Sequence, residues 1–107
     1  MKNKFSKIAL SSTSQDEKVI SIARQIFEIL SNVEVETLYD DNLSVLEELT
    51  GLKSLSTKEI VEKADLLIAI GGDGTMLNCS KKYGSKGIPV LGINLGKLGF
   101  LTDIAPE

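Results

Sequence analysis

Leu66-Leu67-Ile68-Ala69-Ile70-Gly71-Gly72-Asp73-Gly74-Thr75-Met76-Leu77-Asn78 decides the architecture of this chain. An apolar run ends abruptly in glycines, and a segment suited to a helix follows from Thr75. A buried strand that stops at glycines and feeds a helix is how α/β proteins bring phosphates against backbone N–H groups. Asp73 complicates that reading, because carboxylate and phosphate repel at close range. A loop that only bound phosphate would have no use for it.

Working outward, the same alternation of strand and helix recurs. Upstream, Phe5 to Leu10 suits a strand, and a polar Ser11-Ser12-Thr13-Ser14 loop follows. Ser14 with Glu17 makes a capping-box spacing before a helix over 15–31, whose stripe is Val19, Ile22, Ala23, Ile26 and Leu30. The Ser/Thr loop reads equally as a phosphate-holding turn or an ordinary cap. Val33 to Tyr39 alternates as a half-buried strand, and Asp40-Asp41-Asn42 reads as a solvated turn. Ser44 with Glu47 and Ser56 with Glu59 repeat the cap spacing, Gly51 stops a short helix, and 51–56 is expected to be a surface loop. Downstream, Thr75 to Tyr83 reads as a helix with Met76, Leu77 and Ser80 toward the core, closed by Gly84-Ser85-Lys86-Gly87. Ile88 to Ile93 is a further strand, with Pro89 near its start. A second Gly-punctuated segment, Asn94 to Asp103, leaves it. This pattern predicts an α/β domain with a parallel sheet and helices on both faces, its ligands beyond the carboxyl ends of the strands. Both glycine segments leave at that edge and can converge on one ligand.

Composition narrows the chemistry. The chain has 107 residues, 42% apolar content and a net charge of −3, which fits one globular domain with a single modest core. No basic run exceeds Lys81-Lys82, against a nucleic-acid surface. No apolar run nears the roughly 20 residues that span a bilayer, so no membrane partner is expected and the cytoplasm is the expected compartment. The lone Cys79 reads as a small apolar side chain on a helix face. Histidine is absent, which removes Ser-His-Asp, Cys-His and His-ligated zinc chemistry and leaves Asp, Glu, Lys or Tyr as general acid or base. The letters fail the dinucleotide fingerprint, since Leu77 stands where Gly or Ala is required. They fail Walker A as well, since Leu98 follows Lys97. No zinc or EF-hand spacing occurs, so no protein-built metal site is expected.

Gly71-Gly72-Asp73-Gly74-Thr75 resembles the signature shared by NAD kinases, diacylglycerol-kinase-type lipid kinases and, in a Ser variant, 6-phosphofructokinases. Pro89-Val90-Leu91-Gly92-Ile93-Asn94-Leu95-Gly96-Lys97-Leu98-Gly99-Phe100-Leu101-Thr102-Asp103 separates them and is similar to the NAD kinase family. The resemblance implies a Rossmann-like, phosphofructokinase-like three-layer domain over residues 1–104, with 105–107 starting the connection to a C-terminal β-rich domain that this chain lacks. It implies phosphorylation of the adenosine-ribose 2′-hydroxyl of NAD by ATP, or in some members polyphosphate, with a divalent cation such as Mg2+, in a homo-oligomer. Asp73 is then the catalytic carboxylate. Gly72 and Gly74 bring backbone to the phosphates, Thr75, Leu77 and Asn78 continue that wall, and Asn94, Gly96, Leu98 and Phe100 form the other. Asn78 departs from the basic residue many members carry there, which removes a charge contact. The family's later Asn-acid pair lies past Glu107, so these residues alone are expected to be inactive. Other readings of the same letters are a lipid or sugar kinase sharing the loop, and a non-catalytic NAD- or NADP-sensing domain. Asp73 itself reads as a base for the hydroxyl, as a magnesium ligand, or as the cap of a tight turn that needs Gly72 and Gly74.

Overall fold

In the computed structural model, which describes residues 5–95, the sheet has strand order β2-β1-β3-β4 with every pairing parallel. The strands are β1 (Lys7–Ser11), β2 (Glu36–Tyr39), β3 (Leu66–Gly71) and β4 (Val90–Asn94). Helices α1 (Glu17–Ser31), α2 (Leu46–Thr50), α3 (Thr57–Lys63) and α4 (Asp73–Cys79) lie between them. A 3₁₀ turn at Asp41–Leu43 follows β2, and a π-helical turn at Ser80–Gly84 follows α4. The α/β class and the parallel sheet are therefore as the alternation requires. Gly96, Leu98, Phe100 and the 105–107 connection lie outside the described residues.

Parallel strands must be covered on both faces, and the central ones are apolar over residues 8–10 and 66–70. One face buries Ile8, Leu10, Ile68 and Ile70 against Val19 and Ala23 of α1, with Tyr39, Leu43 and Leu46 alongside. The other buries Ala9, Leu67 and Ala69 against Ile60 of α3, Cys79 and Tyr83. The chain turns from β1 toward β2 on one side and toward β3 on the other. The crevice between the carboxyl ends of β1 and β3 is thus the switch point of the sheet.

Several local expectations change. The cap of α1 is Asp16, which accepts from Lys18 N–H at 2.8 Å, and Ser14 instead accepts from Asp16 N–H at 3.0 Å. Any of these short polar side chains suits a cap, and the one adjoining the helix prevails. Ser44 caps nothing, because it continues the 3₁₀ turn in a helical conformation. β2 is shorter than the Val33–Tyr39 alternation, and Thr37, Leu38 and Tyr39 are all buried. The 51–56 loop is tied to the body. Leu55 N–H donates to Tyr39 C=O at 2.9 Å, and Ser54 Oγ donates to Glu47 at 2.9 Å. The Ser56–Glu59 capping box forms as expected, and Gly51 ends α2 at φ 76°. Among the described residues, no helix is long and apolar enough to cross a membrane.

Candidate functional site

β3 delivers its last residue, Gly71, at φ 153°. A Cβ there would stand 2.6 Å from Thr75 Oγ1 and 2.8 Å from Thr75 Cβ, so the strand-to-helix turn admits only glycine. Gly72 and Gly74 differ: a Cβ on either would meet nothing within 4 Å, and neither has a positive φ. The tight turn therefore requires Gly71, and the fold places no demand on Gly72 or Gly74. The open space beside them is room in which backbone can be approached from outside. Gly72 is the cap of α4 and Asp73 its first residue, so Asp73 does not serve as the cap.

Asp73 is exposed at the carboxyl edge of the sheet, and Asn94 reaches it from the neighbouring strand. Asn94 is in register with Gly71, and Leu95 N–H donates to Gly71 C=O at 2.7 Å. That pairing aims the buried Asn94 side chain at the turn, where Nδ2 donates to Asp73 Oδ1 at 2.5 Å. The carboxylate is oriented by the strand that leads into the second glycine segment. A cleft of about 430 Å³ opens beside it between α4 and β4, floored by Met76, Ser80 and Gly92. Gly92 lies against the Met76 side chain, and a Cβ on it would stand 2.4 Å from Met76 Sδ, so a side chain there would displace the methionine. A second cleft of about 280 Å³ lies across the loop, between Gly71-Gly72 and the Ser14–Lys18 start of α1.

The other candidates separate. Thr75 is buried and its hydroxyl hydrogen-bonds to that of Thr13 at 2.5 Å, so its side chain is used within the chain. Leu77 is 59% exposed, contrary to its expected place in the core, and Ser80 and Asn78 are exposed too. The residues α4 buries are Thr75 and Cys79. Cys79 is thus the packed side chain its setting suggested, and burial raises its thiol pKa.

Asp40 was expected in a solvated turn and is instead 3% exposed. Ser11 Oγ and Tyr83 Oη both donate to its Oδ2, and Oδ1 is buried without a partner among the described residues. Desolvation holds its carboxyl above the ordinary value, and the Tyr83 phenol beside it, buried likewise, is pushed up to about 12. The sequence shows Gly71 only as part of the glycine signature, Gly92 within the second glycine motif, Thr13 within the Ser/Thr loop and Asp40 within a solvated turn, and assigns none of them the role it has here.

A model of the ATP-NAD kinase N-terminal domain matches residues 8–107 of this chain. The NAD kinase of Desulforamulus reducens is 36% identical over 99 residues, 91% of this chain and 33% of that protein. The NAD kinase of Alcanivorax borkumensis is 35% identical over 104 residues, 97% of this chain and 35% of that protein. Among solved structures, yeast NADH kinase complexed with NADH matches with a TM-score of 0.72 at 25% identity, over 92% of this chain and 34% of that one. The chain spans about a third of the length of the curated relatives it matches.

Proposed function

We propose a function from one premise: the chain belongs to the ATP-NAD kinase family, as its N-terminal domain. It supplies the Asp73 wall of a site in which the 2′-hydroxyl of the adenosine ribose of NAD is phosphorylated by ATP to give NADP. The observation that carries this reading is the Asp73 carboxylate, oriented by Asn94 at the edge where both glycine segments emerge.

The chemistry follows from what these residues can do. Phosphoryl transfer leaves the protein mainly positioning and charge management. Asp73 accepts the ribose proton as the hydroxyl oxygen bonds to the γ-phosphorus and the bond to ADP breaks. Asn94 holds the carboxylate in place while this happens. Gly72 and Gly74 leave the backbone clear beside it, so the dinucleotide phosphates can come close without meeting a side chain. Leu77 and Asn78 extend that exposed ridge, and Gly96, Leu98 and Phe100 are proposed for the facing wall.

Among the described residues no group of three or more Cys, Asp or Glu side chains is placed to cage a metal. That donor set fits Mg2+ carried mostly by phosphates and water, with Asp73 the carboxylate beside the cleft that could join it. Such an ion offsets the phosphate charge when ATP is bound.

The test is NADP formation by the full gene product supplied with NAD, ATP and magnesium. Asp73→Asn is expected to lower kcat by about 10²–10⁴-fold, the usual worth of a general base, with little change in KM for NAD. No NADP from the folded protein would overturn the activity. Undiminished kcat in Asp73→Asn would remove Asp73 as the base and leave the activity standing.

A further inference from the structure

We infer that Lys18, in the first turn of α1, is the cation that meets the phosphates of the donor nucleotide, which enter from the α1 side of the Asp73 loop. This rests on the kinase reading above. In-line transfer sets the attacking and leaving oxygens on opposite sides of the phosphorus, so acceptor and donor must reach Asp73 from opposite sides. The loop has a cleft on each side. One, of about 430 Å³, lies between α4 and β4, and the other, of about 280 Å³, lies between Gly71-Gly72 and the start of α1.

Charge decides which cleft takes which substrate. The larger is bordered by Asp73 and Asn94, with Met76, Val90 and Leu91 as apolar wall and no Lys or Arg among its described residues. A triphosphate laid there would run along a carboxylate that repels it, whereas a ribose hydroxyl needs that carboxylate within reach. Asp73 does not line the smaller cleft, whose walls include the Gly71-Gly72 main chain, Ser14 and Lys18. A Cβ on Gly72 would meet nothing within 4 Å, so the main chain is bare to an approaching anion. Among the described residues Lys18 is the one Lys or Arg that lines either cleft, and α4 carries none. It is exposed and makes no ion pair among the described residues, so its ammonium can turn to the donor.

Asp16 acts the other way. It lines the same cleft, and its carboxylate accepts from Lys18 N–H at 2.8 Å to cap α1. A phosphate here meets one cation and one anion, so the two side chains must move donor affinity in opposite directions. A wall with no part in binding phosphate would show no such pair of signs.

Steady-state kinetics of the full gene product with NAD, ATP and magnesium test the assignment. Lys18→Gln is expected to raise KM for ATP about tenfold, the usual worth of one charge-assisted contact, and to leave KM for NAD unchanged. Lys18→Arg is expected to hold both. Asp16→Asn keeps the cap, loses the charge and is expected to lower KM for ATP. Lys58→Gln is the control, since exposed Lys58 holds the same second position in α3 and lines neither cleft. Added salt should narrow the gap between wild type and Lys18→Gln. Lys18 is exposed, so folding survives, as circular dichroism checks; Lys18→Ala stands in if it does not. No NADP from the folded wild type would overturn the kinase reading and this inference with it. With an active wild type, a KM for ATP indifferent to Lys18→Gln, a loss that falls on NAD, a loss matched by Lys58→Gln, or a raised KM in Asp16→Asn would each overturn the role of Lys18 alone.

Discussion

Asp40 and Asp73 are both acids at strand ends, and their surroundings give them opposite characters. Asp73 is exposed and oriented by Asn94, whereas Asp40 is enclosed by Ser11 and Tyr83 with one oxygen unpartnered among the described residues. The raised pKa of Asp40 has a definite sign for stability. The folded state binds its proton more tightly than the unfolded state. The contribution is therefore complete below the ordinary carboxylate range and lost as pH rises through the raised value. Asp40→Asn keeps an oxygen to accept from Ser11 and Tyr83 and has no charge to bury. Denaturation midpoints of the two proteins should diverge from acid to neutral pH. At neutral pH the variant is expected to be the more stable by on the order of 1 kcal/mol, a tenfold change in acidity being worth about 1.4 kcal/mol. Parallel pH profiles would show that the buried acid carries no such cost. None of this was legible locally, since Asp-Asp-Asn after a strand has the composition of a wet turn. What buries Asp40 is a tyrosine more than forty positions away, and only the topology brings it there.

At the scale of the element, the strand-to-helix turn divides its glycines by task, and substitution separates them. Gly71→Ala forces a side chain into Thr75 at a backbone angle that L residues rarely adopt; the expected loss is about 1–3 kcal/mol. Gly74→Ala meets nothing and lies within α4, so it is expected to hold stability or gain about 0.5–1 kcal/mol. Its loss should fall on NAD affinity instead, read as a raised KM with the melting temperature unchanged or higher. A Gly74→Ala enzyme with unaltered KM would end the idea that backbone meets phosphate there. The sequence made the existence of this turn plain, along with the alternating strands, the Ser56 box and the Gly51 stop, because each is written in adjacent residues. The burial of Leu77 was misjudged for a different reason. The face that α4 and the turn after it bury is Thr75, Cys79 and Tyr83, one residue in four, and Thr75 and Cys79 are less apolar than Met76 and Leu77, so a stripe chosen by hydrophobicity picks the wrong face.

For the whole molecule, the two-faced packing makes β1 and β3 the best-covered strands, while β2 and β4 are the outer ones among the described residues. Native-state amide exchange should be slowest at Ala9, Leu10, Ile68 and Ala69, and faster at Thr37 and Leu91. Uniform protection across the sheet would contradict that ordering. A last consequence comes from the bond between Thr13 and Thr75. It joins the loop that follows β1 to the helix that follows β3, across the mouth of the switch point. The two βα units are tied there like a lintel over a doorway, so opening either at that point breaks a contact held by the other. For the dinucleotide proposed at Asp73, this side of the mouth is the stiffer one, since any movement that separates the two units gives up that bond, worth about 1 kcal/mol.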